Sequence, residues 1–222
     1  MNPTIRTLYG SRLFIAVFTI YLLIAFIYCS LYSKATCFIN LNAVHTTSLN
    51  VFFTWYTMLG DGCVAIVLFV AMLCCRRFLQ GVHVIVAFLL SGMAAQIIKR
   101  LTHMPRPKAF LQPEQYNRFV EGVTHGGWTS FPSGHTATAF AVATILALYA
   151  RNKWISLLYL LLAISVGYSR IYLGQHFLED VLAGSIVGVF FAGWTFVLIP
   201  ELKLFGRKVD RERPTPSLAA IQ

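Results

Sequence analysis

Three short segments of the chain carry the residue types that could bind a phosphoryl group and attack its phosphorus atom. Together they supply cations, histidines, a carboxylate and a Ser-Gly turn, and each lies where an apolar run stops or is interrupted. In chain order, the segments are Lys99 to Arg106-Pro107, Pro132-Ser-Gly-His135, and Ser169-Arg170 followed by His176 and Asp180. Charged groups are costly in hydrocarbon, so charges beside apolar spans indicate a functional site.

The third segment predicts a nucleophile. His176 and Asp180 are four residues apart, so on a helix their side chains share one face. A carboxylate bonded to one imidazole nitrogen fixes the tautomer and makes the other nitrogen more basic. Arg170 precedes the turn Leu173-Gly174-Gln175 and could fold back over the same spot. The alternative is a carboxylate at a helix start and a nearby histidine that are each satisfied locally.

The second segment, with Ser133, Gly134 and His135, predicts a tight turn into the start of a helix. Free backbone N–H groups and the helix dipole attract anions there. Ser133 adds a hydroxyl, Gly134 lets phosphate approach the backbone, and His135 could protonate a departing oxygen. The alternative is an ordinary helix start in which Ser133 is the N-cap and His135 has no chemical role.

The first segment supplies two cations of different geometry. Arg106 offers a planar fork of donors to phosphate oxygens, whereas Lys99 offers a compact point charge. Basic residues at helix ends also extend towards lipid headgroups without any catalytic role. That alternative explains Lys99 but leaves the other two segments unexplained.

The composition predicts that these segments are positioned by membrane helices. The chain has 222 residues, of which 57% are hydrophobic and 12% charged, with a mean hydropathy of +0.67. Soluble domains carry about 25% charged residues, and a helix needs roughly 20 apolar residues to cross a bilayer. The fold class is therefore predicted as all-α, an integral membrane bundle of six transmembrane helices. The predicted spans are Leu13–Leu31, Val51–Cys74, Phe78–Ile98, His135–Ala150, Trp154–Tyr168 and Phe177–Leu198.

The domain organisation follows from these spans. We expect a single membrane domain over residues 1–202 and a basic cytoplasmic tail at 203–222 that is disordered. The first span is too long for a removable signal peptide, so Met1–Arg12 is interpreted as a cytoplasmic segment of the mature protein. Gly60-Asp61-Gly62 interrupts the second span, which predicts that Val51–Leu59 lies flat at the interface and that the crossing starts near Asp61.

The net charge of +10 could suggest a nucleic-acid partner, but its distribution argues against one. With the N-terminus inside, eleven of the eighteen basic residues fall in cytoplasmic segments, as the positive-inside rule expects. Both termini are therefore predicted to be cytoplasmic, with all three segments on the opposite face. The eleven residues are Arg6, Arg12, Arg76, Arg77, Arg151, Lys153, Lys203, Arg207, Lys208, Arg211 and Arg213.

No metal or other cofactor is expected from the sequence. The five cysteines show no zinc-type spacing, and no carboxylate-rich segment suits magnesium. Three further residues are possible substrate contacts: Asp61, an isolated carboxylate between two glycines, His103 in the long loop, and Trp128, whose amphipathic ring suits the membrane interface.

In combination, Lys-x6-Arg-Pro, Pro-Ser-Gly-His and Ser-Arg-x5-His-x3-Asp resemble the motifs of the type 2 phosphatidic acid phosphatase family, which is related to the vanadium haloperoxidases. All three motifs are intact. The resemblance implies that Lys99, Arg106 and Arg170 bind the equatorial phosphate oxygens, together with Ser133 and the Gly134 amide. It also implies that His176, oriented by Asp180, forms a phosphohistidine, that His135 protonates the leaving oxygen, and that no metal takes part.

The family resemblance implies a membrane phosphatase that removes phosphate from a lipid, with its site at the periplasmic face of a bacterial inner membrane. Lipid A or a phospholipid monoester is the preferred substrate. An undecaprenyl diphosphate phosphatase and a lipid-to-lipid phosphotransferase are the enzymatic alternatives. A transporter or lipid-binding protein that only holds a headgroup is the non-enzymatic one. The two histidine roles predict a rate that is bell-shaped in pH.

Overall fold

The computed structural model describes residues 11–199, and within that range the chain forms helices and no strands. This confirms the predicted all-α class. The predicted N-terminal segment up to residue 10 and the predicted tail at 203–222 lie outside the described residues. The α-helices are α1 Arg12–Leu31, α2 Lys34–Leu41, α3 Thr47–Tyr56, α4 Gly62–Cys74, α5 Phe78–Thr102, α6 Pro107–Phe110, α7 Gly134–Tyr149, α8 Lys153–Tyr172 and α9 Leu178–Leu198.

Four stretches of the described chain are long and apolar enough to cross a membrane. They contain α1, α5, α8 and α9. A fifth crossing results if α3 and α4, which meet at an angle of 53°, form one bent span. The remaining predicted span corresponds to α7, whose 16 residues give a length of about 24 Å against a hydrocarbon thickness of about 30 Å. The protein is therefore an integral membrane protein, and the count of six crossings stays a prediction.

The second predicted span is broken where its sequence is interrupted. A single 3-10 turn, Thr57–Gly60, follows α3, and α4 starts after Asp61, whose Oδ1 accepts a 2.8 Å hydrogen bond from the Cys63 N–H. The turn packs tightly, because a Cβ added at Gly60 would stand 2.8 Å from the carbonyl oxygen of His135. This confirms the predicted interruption and places it against the start of α7. The position of α3 at the interface stays a prediction.

Helix α7 lies at the centre of the bundle, and α9 packs against it through glycines. A Cβ at Gly184 would stand 2.5 Å from the Ser133 carbonyl oxygen, and one at Gly188 would collide with the backbone of Ala137. Small residues allow such close approach between membrane helices. The starts of α7 and α9, which carry the second and third motifs, are held side by side as a result.

Two helices are longer than the sequence predicts, and both extensions carry motif residues. Helix α5 continues to Thr102, so Lys99 lies in its last turn. Helix α8 continues to Tyr172, so Arg170 lies in its last turn. Both helices extend beyond the predicted spans because apolarity marks the part of a helix in hydrocarbon, whereas helical hydrogen bonding continues beyond it.

The long connection between α5 and α7 is held down by aromatic packing. The Phe38 ring of α2 contacts the Tyr116 ring edge-on at a centroid distance of 5.1 Å, and the Phe177 ring at 5.6 Å. Tyr116 is buried in this cluster. Helix α2, which the sequence analysis did not predict, supplies the surface on which the loop packs.

Candidate active site

The three motifs meet at one end of the bundle, around a cavity of about 770 Å³. The cavity lies between the end of α5, the start of α7, the end of α8 and the break before α4. The charged and titratable side chains that line it are Asp61, Lys99, Arg106, His135, Arg170 and His176. Residues separated by up to 115 positions in the chain therefore share one anion-attracting space.

His176 is fixed by the way α8 ends. The backbone N–H groups of Gln175 and His176 donate to the Arg170 carbonyl at 3.0 and 3.3 Å, and Gly174 adopts a left-handed φ of 64°. This termination satisfies carbonyls of the last helical turn and points the chain directly into α9. His176 is only 2% exposed, yet it lines the cavity. Its position is therefore set by backbone structure on both sides.

Asp180 faces His176 from the first turn of α9. The distance from its Oδ2 to Nδ1 of His176 is 3.5 Å, which is longer than an ordinary hydrogen bond. The same Oδ2 accepts a 2.8 Å hydrogen bond from the Phe177 N–H, which caps the helix. With Nδ1 turned towards the carboxylate, Nε2 is the imidazole nitrogen left for a ligand in the cavity. The two side chains lie next to each other, and the predicted bond between them stays a prediction.

Ser130 is a contributor that the sequence analysis missed. Its hydroxyl donates to Oδ2 of Asp180 at 2.5 Å, and both side chains are fully buried. The Ser133 N–H also donates to the Asp180 carbonyl at 2.9 Å, so the second motif is tied to the third. The only signal for Ser130 was its position three residues before Ser133, and a loop serine at that distance has many other uses.

Burial sets the protonation state of His176. Removal of the imidazole from solvent lowers its pKa to about 4, although the neighbouring Asp180 carboxylate opposes the shift. Arg170 and Lys99 lower it further through charge repulsion. His176 is consequently neutral at neutral pH and keeps a ring-nitrogen lone pair for attack on an electrophile.

Arg170 is the most deeply buried of the cations, at 8% exposure. Its Nη1 donates to the Thr57 hydroxyl at 2.7 Å, while its Nε has no hydrogen-bond partner within residues 11–199. A buried guanidinium with unused donor capacity is costly unless an anion compensates it. Thr57, which orients this side chain, carried no sequence signal because it lies 113 positions away.

Arg106 and Lys99 approach the cavity from the end of α5 and the loop that follows. Arg106 donates through Nη1 to Oε1 of Gln175, and Gln175 in turn donates to the Val123 carbonyl. Nζ of Lys99 lies 3.9 Å from the position that a Cβ at Gly134 would occupy. The first motif therefore contacts the third through Gln175 and reaches the second at Gly134. Gln175 was also missed by sequence reasoning.

The second motif forms a helix start, as predicted. One of its residues caps the helix, and two others line the cavity. Ser133 is the N-cap of α7, and its Oγ accepts hydrogen bonds from the Thr136 N–H at 3.4 Å and from the Thr136 hydroxyl at 2.9 Å. Ser133 is fully buried, whereas Gly134 and His135 line the cavity. The structure thus places Ser133 in the capping position that was the alternative interpretation, and its phosphate contact stays a prediction.

The three possible substrate contacts are placed differently. Asp61 lines the cavity, and its Oδ2 lies 3.9 Å from Nε2 of His135. His103 ends α5 with a φ of 47° and is exposed, and Trp128 is 62% exposed. In the described part of the chain neither of those two lines the cavity, so their contact with substrate stays a prediction. Residues 11–199 hold no group of three or more His, Cys, Asp or Glu side chains placed to bind a metal.

Known proteins are similar to the part of the chain that carries the three motifs. The sequence model of the PAP2 superfamily matches residues 80–203. The chain is 39% identical over 102 residues to the lipid A 4'-phosphatase of Bacteroides thetaiotaomicron, which covers 46% of this chain and 44% of that protein. It is 29% identical over 124 residues to the lipid A 1-phosphatase of Rhizobium johnstonii, covering 56% and 50%. The chain spans about half the length of these relatives.

Two solved structures share the fold. The crystal structure of Aquifex aeolicus LpxE superposes with a TM-score of 0.62 at 31% identity, covering 72% of this chain and 92% of that one. The transmembrane phosphatidylglycerolphosphate phosphatase of Bacillus subtilis superposes with a TM-score of 0.62 at 22% identity, covering 89% and 98%. The second likeness is one of fold alone.

Proposed function

Because the chain belongs to the PAP2 superfamily, we propose that it is a membrane phosphatase that removes phosphate from a lipid through a phosphohistidine on His176. The observation that carries this proposal is the cavity in which His176 meets three cations. The neutral imidazole supplies a nucleophile, and the cations supply the charge that a phosphate requires.

Substrate binding is assigned to Lys99, Arg106 and Arg170, which surround the same space from three elements. Their donors bind the non-bridging oxygens, and the Gly134 amide at the start of α7 adds a backbone donor. Because these groups are held before substrate arrives, they stabilise charge in the transition state with little reorganisation.

The chemical steps follow from the two histidines. Nε2 of His176 attacks phosphorus, the bond between phosphorus and the lipid oxygen breaks, and His135 gives a proton to that oxygen. Asp180 keeps the proton of His176 on Nδ1 during the attack. In the second step His135 removes a proton from water, the water oxygen bonds to phosphorus, and His176 leaves with the electrons of the P–N bond. Phosphate departs, and both histidines return to their starting states.

The apolar part of the cavity supports a lipid as the substrate. Phe88, Leu89 and Met93 of α5 line it beside the charged groups, and Leu89 and Met93 are also exposed on the surface of the protein. A lipid places its phosphate beside its apolar portion, as this cavity does. We favour lipid A or a phospholipid monoester, because the relatives at 39% and 29% identity carry the names of lipid A phosphatases.

The orientation in the membrane is also proposed. Arg76 and Arg77 connect α4 to α5, and Arg151 lies between α7 and α8. These connections lie at the opposite end of the helices from the cavity-lining end of α5 and start of α7. Basic connections favour the cytoplasmic side. We therefore assign the site to the periplasmic face of a bacterial inner membrane, and both termini, including the tail at 203–222, to the cytoplasm.

A substrate panel tests the proposed function. Purified protein in detergent, treated with EDTA, is expected to release phosphate from lipid A or from phosphatidate and phosphatidylglycerophosphate faster than from undecaprenyl diphosphate. Faster release from the diphosphate would favour that alternative, and radiolabelled phosphate moving to a second lipid would favour phosphotransfer. Absence of release from every lipid by folded protein would overturn the proposal, and activity restored only by added magnesium would overturn its metal-free mechanism.

The pH dependence of kcat/KM provides a second prediction. Attack requires neutral His176, and burial lowers its pKa to about 4, so the group stays reactive when the pH falls through the usual histidine range near 6.5. The acidic limb due to the enzyme is therefore expected well below pH 6.5. The phosphate monoester itself has a second ionisation near pH 6. Its pKa must be measured by phosphorus NMR in the same micelles, so that the ionisation of the substrate can be separated from that of the enzyme in the pH profile. An acidic limb of the enzyme near pH 6.5, the ordinary pKa of a histidine, would contradict this assignment.

A further inference from the structure

Asp61 stands in the break before α4, with its two carboxylate oxygens facing different partners. Oδ1 accepts the hydrogen bond that caps α4, while Oδ2 lies 3.9 Å from Nε2 of His135 across the edge of the cavity. Both side chains are about one-third exposed, at 34% and 32%. The geometry therefore uses one oxygen for structure and leaves the other for the histidine.

We propose that Asp61 is a positioning residue that acts through His135 and keeps its imidazole protonated as the acid that releases the lipid. The inference rests on the proposed function. In the first step the P–O bond breaks, its electron pair stays on the lipid oxygen, and that oxygen takes a proton from the imidazolium. In the second step His135 recovers a proton from the attacking water. Asp61 remains a carboxylate throughout.

The charges around His135 show why a carboxylate is needed. The groups that interact electrostatically with this imidazole are Lys99 from α5, Arg170 from α8, His176 from the connection to α9, and Asp61. Among these four groups Asp61 carries the only negative charge. Opposite charges within about 4–6 Å stabilise the charged form of a group, and like charges destabilise it. Without Asp61, a protonated His135 would face only cations and a neutral imidazole.

The position of Asp61 relative to His135 is fixed by close packing. A Cβ at Gly60 would stand 2.8 Å from the His135 carbonyl oxygen and 2.7 Å from Cγ1 of Val166. One at Gly62 would stand 2.7 Å from the Phe88 ring. The turn that carries Asp61 is thus seated directly on the start of α7. A carboxylate held this way needs no rearrangement when substrate binds, which is what an electrostatic role requires.

The two histidines then form separate pairs with opposite tasks. His176 and Asp180 are almost fully buried, and there desolvation dominates and keeps the imidazole neutral. His135 and Asp61 are about one-third exposed at the edge of the cavity, and there the carboxylate opposes the positive charges of Lys99 and Arg170 around the imidazole. Paired titratable groups in contrasting environments are a recurrent way of dividing base and acid roles.

The test compares Asp61→Asn on two substrates of different leaving-group strength. Asparagine is a good N-cap, so this change keeps the cap of α4 and removes the charge. Phosphatidate has an alkyl leaving oxygen that needs a proton, whereas p-nitrophenyl phosphate has a leaving group that departs without one. The quantity compared is kcat/KM, because it covers only the steps up to formation of the phosphoenzyme.

The expected result is a loss of about 10–100-fold on phosphatidate with a change under about threefold on p-nitrophenyl phosphate. The alkaline limb of the phosphatidate profile should also move to lower pH, and Asp61→Glu should recover part of the loss. Val67→Ala, at an exposed position of α4 that does not line the cavity, is the control and should behave as wild type. Thermal unfolding and a second charge-free cap, Asp61→Ser, exclude an effect of misfolding.

Equal losses on both substrates, or no loss on either, would overturn the role of Asp61 while leaving the proposed function standing. Folded wild-type protein that releases phosphate from no lipid of the substrate panel would instead overturn the proposed function and the inference with it. These two failures are distinguished by the wild-type rates alone.

Discussion

His176→Ala is expected to abolish phosphate release from lipid, with a fall in kcat of about 10⁴-fold or more. In the proposed mechanism the imidazole is the group that forms a bond to phosphorus, and the other cavity-lining groups bind the substrate or transfer protons. Removing it leaves the three cations able to hold substrate, so binding should persist. Wild-type protein incubated with ³²P-labelled substrate and quenched in base should carry an acid-labile label that is absent from the variant.

The matched control for this change is His125→Ala. His125 is an exposed histidine in the loop between α6 and α7 and does not line the cavity, so this variant should keep wild-type rates. Thermal unfolding of both variants separates chemistry from stability. A His176→Ala protein that retains turnover within tenfold of wild type would exclude a phosphohistidine at this position.

Asp180→Asn is expected to lower kcat by about 10³–10⁴-fold while preserving the shape of the site. Oδ2 of Asp180 receives hydrogen bonds from Ser130 and from the Phe177 N–H, and it lies beside Nδ1 of His176. An amide has one acceptor oxygen to offer these donors. If that oxygen keeps the two hydrogen bonds, it also stays beside Nδ1, and an uncharged amide oxygen stabilises the positive charge that forms on His176 during the attack far less than a carboxylate does.

Glu179→Gln is the matched control, because Glu179 is the adjacent acid in the same helical turn. Its carboxylate pairs with Lys34 at 3.1 Å and is 44% exposed, so its loss should change kcat by less than about threefold. Initial rates at saturating substrate, with unfolding midpoints, provide the comparison. Equal rates for Asp180→Asn and wild type would show that the carboxylate does not stabilise the charge that forms on His176.

The parts of the candidate site that could be predicted are those whose residues lie close together in the sequence. The His176–Asp180 pair follows from a spacing of four on one helix, and the start of α7 follows from Pro-Ser-Gly. By contrast, Ser130, Gln175 and Thr57 contact motif side chains but have no distinctive spacing from them. These residues are recognised by their proximity in the folded structure, and no periodic pattern in a single sequence reveals that proximity.

The helices also show which features depend on the local sequence and which do not. Hydrophobic composition alone determined that the chain is an all-α membrane protein, because transfer to hydrocarbon sums along a segment and backbone groups there must be bonded within it. The same composition did not reveal the last turns of α5 and α8, which extend beyond the apolar spans and carry Lys99 and Arg170.

By itself, then, the sequence determined the membrane class and predicted the motif residues and the proximity of His176 to Asp180. Only the tertiary structure decided which helix ends meet around a common cavity, that Ser133 caps α7 and that Asp61 faces His135. The physical reason is that helix formation depends on neighbours within a turn or two. The approach of α9 to α7, and of the Gly60 turn to His135, depends on side-chain volumes far apart in the chain.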